Sequence, residues 1–170
     1  MAKKTTVKAV ALRYGTVGGD ATTPLMGVLK GLTVGQDEPD ATEIESEFFD
    51  TPFDIFYDGN PVTLTFELAN YDLTELPALF GGSTANDTYE GSASAYTTEH
   101  SWQLEFGRGN FALYIYKGLT VGTIKKDEDG ALNYSVTITA LMHETTTGEG
   151  AQAVTTQHMY KIVGTKPSNP

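Results

Sequence analysis

The chain contains no cysteine, and this absence removes several kinds of chemistry at once. Without cysteine there is no disulfide framework, no thiol nucleophile and no thiolate ligand for a metal ion. The 170 residues are 39% hydrophobic and 11% aromatic, which is enough to bury one core. We therefore expect a single domain over residues 1–170, stabilised by packing and hydrogen bonds, and not a disordered acidic chain.

Basic side chains are scarce and unevenly placed. The chain has 11 Lys and Arg against 22 Asp and Glu, and no basic residue lies between positions 31 and 107. That interval holds 16 of the 22 acidic residues, so it carries −16 while the remainder carries +5. The net charge of −11 repels phosphate backbones and anionic lipid, which argues against tight binding to nucleic acid or to a membrane. The division of the chain into an acidic interval and a basic remainder suits head-to-tail self-association, although solvated loops would give the same pattern.

Long hydrophobic runs are absent as well. Lys8 and Arg13 interrupt the apolar stretch in residues 1–14, which leaves too little for the core of a signal peptide. No stretch reaches the length of a membrane span. We expect an N-terminal segment over residues 1–26 and a plain C-terminal extension over residues 145–170.

Apolar and polar residues alternate with a period of two in much of the chain, as expected of strands with one buried face. The alternation is clearest in residues 62–68 and 132–140, and it also runs through residues 42–48 and 99–106. A glycine-rich turn then leads from the last of these into residues 111–117, which predicts a hairpin. Four long strands, each with one apolar and one polar face, are therefore expected.

Only one segment has the pattern of a helix, Leu73 to Phe80. Asp72 is placed to cap its free amides, Glu75 to reach back to the cap, and Gly81-Gly82 to end it, while Pro77 limits it to about two turns. The predicted fold class is mainly β, an antiparallel β-sandwich or barrel with one short α-helix and long loops that a partner orders. The loops are expected at three polar stretches, residues 15–24, 82–97 and 143–157.

One hexapeptide, Lys-Gly-Leu-Thr-Val-Gly, occurs twice, at residues 30–35 and 117–122. The sequences that flank the two copies do not align, so no tandem repeat or solenoid is indicated. Two interpretations stay open. The two copies could begin similar strands that arose when half of a sandwich was duplicated, or they could be a coincidence between two edge strands.

No arrangement of residues indicates catalysis. The three histidines lack the spacing of metal ligands, so we expect no metal and no cofactor. The G-x-G-x-x-A match at residues 107–112 precedes a strand-like stretch, whereas a dinucleotide site needs a helix there. A glycosidase could use Glu43, Glu45 and Glu47, but three carboxylates in one row are more typical of a charged surface.

The order of elements from residue 43 to residue 83 resembles the major tail tube proteins of tailed bacteriophages. The resemblance rests on an acidic strand EIESEFF, a second strand GNPVTLTFEL and a helical segment DLTELPALFGGS. The later hairpin QLEFGRGNFALYIYKGLTVG and the strand LNYSVTITAL are also similar to that family, so the likeness extends over residues 27–142. The likeness lies in the order of the elements and in their pattern of residue types, and not in a diagnostic motif.

The resemblance implies a structural virion protein that is not an enzyme. Proteins of that family form hexameric rings that stack into a hollow tube, the conduit for genome delivery. The implied partners are other copies of the chain, further tail proteins at the tube ends and DNA in transit, with no membrane. The implied location is the virion tail, after assembly in the host cytoplasm. An acidic or neutral lumen would keep DNA from sticking, because it does not attract phosphates.

Two groups of residues are candidates for these roles. The candidates for the lumen are the polar faces of the four strands: Glu43, Glu45, Glu47, Thr63, Thr65, Glu67, Glu99, Ser101, Gln103, Glu105, Asn133, Ser135, Thr137 and Thr139. The candidates for contacts between subunits are the basic N-terminal residues and an acidic loop: Lys3, Lys4, Lys8, Arg13, Asp37, Glu38 and Asp40. The solvent-exposed outside of a sandwich is the alternative interpretation of the same polar faces.

Two other classes of protein stay open. An extracellular adhesion or carbohydrate-binding sandwich would be a monomer with aromatic residues on one shallow face, for which Tyr89, Tyr96 and Tyr114 are candidates. An enzyme would need a deep pocket with converging polar groups.

Overall fold

The structure is a computed structural model, and it describes residues 9–25, 28–37, 40–44, 54–58, 60–69, 72–91, 97–106, 111–126, 132–148 and 150–164. The strands before the helix are β1 (Ala9–Gly15), β2 (Thr23–Pro24), β3 (Val28–Gln36), β4 (Asp40–Ile44), β5 (Asp54–Asp58) and β6 (Val62–Ala69). The helix is α1 (Leu76–Phe80). The strands after it are β7 (Ser83–Ala85), β8 (Thr88–Glu90), β9 (Thr97–Phe106), β10 (Phe111–Lys126), β11 (Leu132–Ala140), β12 (His143–Thr147), β13 (Val154–His158) and β14 (Tyr160–Gly164).

Eight of these strands form one antiparallel sheet, the main sheet. Its hydrogen-bonded order is β2-β1-β9-β10-β11-β6-β3, and β14 also pairs with β10. The other strands form three hairpins, β4-β5, β7-β8 and β12-β13. Across the described residues the main sheet ends at β2 and β3 and does not close into a barrel. The fold is thus mainly β, antiparallel and sandwich-like with one short helix, which confirms the predicted fold class.

Strand β10 is long enough to have two successive neighbours on one side. Its first half, Phe111 to Ile115, pairs with β14, and its second half, Gly118 to Lys126, pairs with β11. Strand β9 follows the other side of both halves, and the register shifts between Ile115 and Gly118. A bulge of this kind bends a strand and changes its twist. The bulge therefore lies where the neighbour of β10 changes from β14 to β11.

The apolar face of the main sheet forms the core. Leu64 and Leu68 of β6 and Ile138 of β11 are at most 1% exposed, while the polar residues between them on each strand are half-buried. The helix packs on this apolar face, where Phe80 stacks on Tyr134 with ring centroids 4.8 Å apart. The period-two pattern of the sequence thus separates a buried from a polar side of the sheet.

The helix begins later than the sequence predicts. It covers Leu76–Phe80, whereas the prediction was Leu73 to Phe80. Pro77 has no amide hydrogen and cannot donate to the carbonyl of Leu73, as a longer helix would require. That carbonyl accepts a hydrogen bond from the Thr84 hydroxyl at 3.0 Å instead.

Of the predicted helix ends, only the glycine stop is confirmed. The Asp72 carboxylate accepts a hydrogen bond from the Thr74 amide at 2.9 Å, which lowers the pKa of Asp72, but Thr74 precedes the helix, so Asp72 caps no helix amide. Glu75 makes no side-chain capping bond and is 9% exposed, so its expected capping role is wrong. Gly81 and Gly82 both adopt positive φ after the helix, as expected of residues that end one.

The expected N-terminal segment and C-terminal extension each contain a strand of the main sheet within the described residues. Strand β1, within residues 1–26, pairs with β9. Strand β14, within residues 145–170, pairs with β10. The predicted loops at residues 82–97 and 143–157 contain the hairpins β7-β8 and β12-β13. Exposed, threonine-rich strands such as β12 and β13 lack an apolar alternation, which is why the sequence does not reveal them.

Both copies of the repeated hexapeptide lie in strands and begin at bulges. Residues 30–35 belong to β3, whose register against β6 shifts between Lys30 and Thr33. Residues 117–122 belong to β10 and start at the bulge of that strand. Because β10 is a central strand, a coincidence between two edge strands does not explain the repeat.

A half-buried histidine on the core side links stability to pH. His100 lies edge-on to the rings of Tyr14 and Trp102, with centroids 5.4 and 6.1 Å away. Its Nδ1 is buried and makes no hydrogen bond within the described part of the chain. Burial lowers the pKa of His100, so the folded state favours the neutral imidazole.

We expect the free energy of unfolding to fall as the pH drops below 6.5, the ordinary pKa of a histidine. Between the lowered folded-state pKa and the unfolded value, the unfolded chain binds more protons, so stability rises with pH there. Urea unfolding of the chain and of His100→Gln, between about pH 5 and pH 7, measures the effect. The same pH dependence in both proteins would contradict this role of His100.

Candidate functional site: the polar face of the main sheet

The polar face is the side of the main sheet opposite the core. We define it by polar side chains of β6, β9 and β11 that are exposed or half-buried: Thr63, Thr65, Glu67, Glu99, Gln103, Glu105, Ser135, Thr137 and Thr139. Strand pairing places them in rows, because Thr63 lies opposite Thr139 and Thr65 opposite Thr137. Thr33 of β3 continues the second row, and its hydroxyl oxygen lies 2.5 Å from that of Thr65. The result is a hydroxyl-rich surface across three adjacent strands.

Three ion pairs join strands of the main sheet on this face. Their partners are Lys125 and Glu67 at 2.5 Å, Lys117 and Glu99 at 3.1 Å, and Arg13 and Glu105 at 3.1 Å. The Lys125 side chain starts on β10 and crosses β11 to reach β6. All six side chains are partly exposed, so each pair is worth only about 0–1 kcal/mol to folding. Their main consequence is electrostatic, since a carboxylate lies beside each of these cations.

The ion pairs also bring part of the acidic interval and part of the basic remainder together within one chain. In each pair the carboxylate belongs to the acidic interval 31–107 and the cation to a flanking segment. Arg13, a candidate for a contact between subunits, pairs with Glu105 of its own chain, and its contact with a neighbouring subunit stays a prediction. The other basic candidates, Lys3, Lys4 and Lys8, lie outside the described residues.

Two residues predicted to face the lumen are buried instead. Ser101 is 0% exposed and Asn133 is 2% exposed. Ser101 lies opposite Gly15, where the chain leaves β1 and turns back over the sheet. Within this turn, the carbonyl of Gly19 accepts a hydrogen bond from the hydroxyl of Tyr114 on β10. A side chain that is covered within its own chain cannot line a channel, so both residues are excluded from the polar face.

The remaining candidates lie away from the polar face or outside the residues that the structure describes. Glu43 belongs to β4, which pairs with β5 and with no strand of the main sheet as far as the chain is described. Asp40 opens β4, and Asp37 is exposed just after β3. Three further candidates lie outside the described ranges: Glu38, Glu45 and Glu47. The structure therefore gathers the candidates of β6, β9 and β11 on one surface, but not those of β4.

A ring cluster lies beyond the polar face, on the same side of the main sheet. Tyr116 of β10 stacks on His143 and His158, with ring centroids 5.9 and 5.5 Å apart, and these histidines pair across β12-β13. Lys161 of β14 lies over the rings of Tyr114 and Tyr116, with its Nζ 4.6 and 5.3 Å from their centroids. No group of three or more potential metal ligands occurs in the part of the chain that is described. The cluster packs a hairpin on the sheet, and no local sequence signal reveals it because its members are distant along the chain.

No protein-family model and no curated protein matches this chain. Among the residues that the structure describes, no helix is both long enough and apolar enough to cross a membrane. The geometry of the polar face and the sheet edges is therefore the basis for a functional assignment.

Proposed function

We propose that the chain is a structural virion protein that assembles as stacked hexameric rings into a bacteriophage tail tube, the conduit for genome delivery. The observation that carries this proposal is the broad, hydroxyl-rich polar face, on which Arg13, Lys117 and Lys125 each have a carboxylate partner. The proposed location is the virion tail, after assembly in the host cytoplasm. The proposed partners are other copies of the chain, tail proteins at the tube ends and DNA in transit.

The chemistry of the polar face suits the wall of a DNA channel. DNA binds proteins mainly through cations that contact its phosphates, and this attraction is long-ranged and independent of sequence. Threonine and serine hydroxyls carry no charge, and a cation beside a carboxylate has its attraction for phosphate largely cancelled. Such a surface is wetted by water but does not retain a passing polyanion.

The edges of the main sheet suit assembly with neighbouring copies. Strand β3 ends the sheet on one side, and on the other side β2 covers only Arg13 and Tyr14 of β1. The Leu25 amide also donates to the carbonyl of Leu12, so in the described ranges the start of β1, Ala9 to Ala11, and the outer side of β3 keep backbone groups available for pairing. Exposed edge strands readily pair with another chain. Pairing β3 of one copy with β1 of the next would continue the polar face around a ring.

The alternative of an adhesion or carbohydrate-binding protein has less support from its candidate tyrosines. Tyr114 is only 6% exposed. Tyr89 is half-buried, and its hydroxyl donates to the carbonyl of Gly81 at 2.8 Å. Tyr96 lies outside the described residues. Tyr89 and Tyr114 therefore do not form a shallow aromatic surface for a sugar ring.

Self-association of the purified chain tests the proposed function. We expect sedimentation velocity to show species far larger than the 18.3 kDa chain as the protein concentration rises. Negative-stain microscopy of the same samples should show rings or tubes. A monomer at every soluble concentration, with no rings or tubes, would contradict the proposal.

A further inference from the structure

We infer that the far end of the paired strands β10 and β11 of one copy of this chain docks in an apolar groove beside β14 of a second copy. The inference rests on the proposed self-assembly and names the contact that would join one ring to the next. It is carried by two exposed apolar surfaces, by their positions at opposite ends of β10 and by one pair of opposite charges.

The groove lies on the apolar side of the main sheet, and its volume is about 270 Å³. Val62 and Leu113 at its floor are 4% and 7% exposed. The apolar side chains at its sides remain open to solvent, since Val34, Tyr160 and Ile162 are 43%, 38% and 58% exposed. Exposed apolar side chains that are gathered in one place are typical of a surface that a partner covers.

The lining favours apolar side chains of a protein over a polar small molecule. The polar side chain in the lining is that of Gln36, and its amide already donates to the backbone carbonyl of Asn60 at 2.8 Å. A site for a small molecule directs several polar groups at its ligand and encloses about 300–1,000 Å³. The groove is smaller and less polar, so it matches a few aliphatic side chains.

The paired strands β10 and β11 carry such side chains at their far end, which we call the hairpin end and define by Ile124, Lys126 and Leu132. Ile124 is 67% exposed and lies opposite Tyr134, while Leu132 is 59% exposed and lies opposite Lys126. Tyr134 belongs to the core, and side chains alternate along a strand. All three residues of the hairpin end are therefore on the apolar side of the sheet.

The hairpin end extends beyond the strands that flank it. Within the described residues, β9 pairs with β10 no further than Val121, and β6 pairs with β11 no further than Tyr134. Strands β10 and β11 continue to pair with each other as far as Lys126 opposite Leu132. The hairpin end is thus a narrow two-stranded projection, a shape that can enter a groove.

The hairpin end cannot reach the groove of its own chain. Leu113 at the floor of the groove and Ile124 of the hairpin end belong to the same strand, β10. At about 3.3 Å per residue, the strand separates them by roughly 35 Å. The two surfaces can therefore meet only between copies. Because they are different surfaces, the contact is head to tail and repeats from copy to copy.

Opposite charges favour this pairing of surfaces. Lys126 of the hairpin end is exposed, and so is Asp37, which directly follows Gln36 of the groove. Neither side chain forms an ion pair within the described part of the chain. A hairpin end in the groove would bring Lys126 towards Asp37 of the second copy. Complementary charges at the edge of an apolar contact orient the two partners.

The direction of the contact suits the stacking of rings. Hydrogen bonds between antiparallel strands are perpendicular to the strands, so the proposed pairing of β3 with β1 would extend the sheet sideways. The groove and the hairpin end lie at opposite ends of β10, so their contact extends the assembly along the strands. The first contact would close a ring, and the second would connect it to the next ring.

Disulfide trapping tests the contact directly, because the natural chain has no cysteine that could form other bonds. One variant carries both Ile124→Cys and Ile162→Cys, and it is concentrated and oxidised mildly. The two cysteines of one copy are too distant to bond with each other, since a disulfide needs Cα atoms within about 7 Å. We expect disulfide-linked chains of three or more copies, at least about tenfold more abundant than in the control described next.

The matched control combines Ile162→Cys with Thr123→Cys. Thr123 is exposed and adjacent to Ile124, but its side chain lies on the opposite side of the sheet. A second test pair, Leu132→Cys with Ile162→Cys, allows for an imperfect alignment of the first. Multimers that are no more abundant than in the control, for both test pairs, would overturn the inference. So would abundant disulfide-linked dimers of the single variant Ile162→Cys, because they would place one groove on another.

Charge reversal gives a second readout on exposed side chains, where substitutions rarely affect folding. Lys126→Glu would face Asp37 with a like charge, so it should raise the protein concentration needed for assembly at least about threefold. Adding Asp37→Lys should restore the original concentration. An unchanged concentration for Lys126→Glu would contradict the inferred position of the hairpin end.

The outcomes separate this inference from the proposed function. Tubes that form without the expected multimers would overturn the groove contact and leave the tail-tube proposal standing. Disulfide-linked multimers of a protein that never forms rings or tubes would support the groove contact and contradict the tail-tube proposal.

Discussion

Tubes built from a Glu67→Gln, Glu99→Gln double variant are expected to retain DNA that unaltered tubes release. Each substitution removes the carboxylate beside Lys125 or Lys117 and leaves the lysine in place. A lysine without its carboxylate partner can bind a phosphate of the DNA backbone instead. Since every copy in every ring would present the same two lysines, the effect should accumulate along the tube.

The measurement is the retention of fluorescent double-stranded DNA by assembled tubes over a series of salt concentrations. Binding through phosphates weakens with salt, with a slope of about −0.9 per contact on logarithmic axes. Retention by the variant should therefore fall about threefold per engaged lysine between about 50 and 200 mM salt. Unaltered tubes should show little retention over the same range.

A matched control for lost charge is Glu144→Gln. Glu144 accepts a hydrogen bond from the Gln157 amide at 2.8 Å, so this substitution removes a negative charge without taking the partner from Lys117 or Lys125. It should leave DNA retention unchanged. Adding Lys125→Gln to Glu67→Gln should restore release at that site. Identical behaviour of all these tubes would contradict the placement of the polar face against DNA.

The second large effect is expected at Gly122, where Gly122→Ala should destabilise the fold by about 1–3 kcal/mol. A Cβ added to Gly122 would overlap the ring of Phe80. Phe80, the last residue of α1, lies in the core and stacks on Tyr134, so its ring cannot move aside without disturbing the core. Urea unfolding followed by fluorescence of the single tryptophan measures the loss.

The repeated hexapeptide supplies the control for this substitution. Gly35 holds the same position in the first copy as Gly122 in the second. A Cβ added to Gly35 would lie 3.9 Å from the Thr63 hydroxyl, an ordinary contact. Gly35→Ala should therefore change the free energy of unfolding by no more than about 0.5 kcal/mol. Equal losses in the two variants would show that contact with Phe80 is not the cause.

Strands with one fully buried face could be predicted closely from the sequence. The alternation at residues 62–68 and 132–140 matches β6 and β11 almost to the residue, because burial of one face forces a period of two. Strand β10 was predicted to stop at Lys117 but continues to Lys126. The bulge after Ile115 breaks the alternation at that point, so the pattern changes phase inside one strand.

The partners across strands could not be predicted, because they depend on the order of strands in the sheet. Arg13 and Glu105, or Lys125 and Glu67, are distant in sequence and meet only through the pairing of their strands. The polar side of each strand was visible in the sequence, but the burial of Ser101 was not. It depends on a turn that packs over the sheet from another part of the chain.

An electron cryomicroscopy reconstruction of the assembled protein would decide the proposed function. We expect a hollow tube of stacked rings whose channel is lined by Thr65, Glu67 and Thr137, with the helix on the opposite side of the sheet. A filament without a central channel, or a tube with these three residues on its outer surface, would contradict the proposal that the polar face conducts DNA.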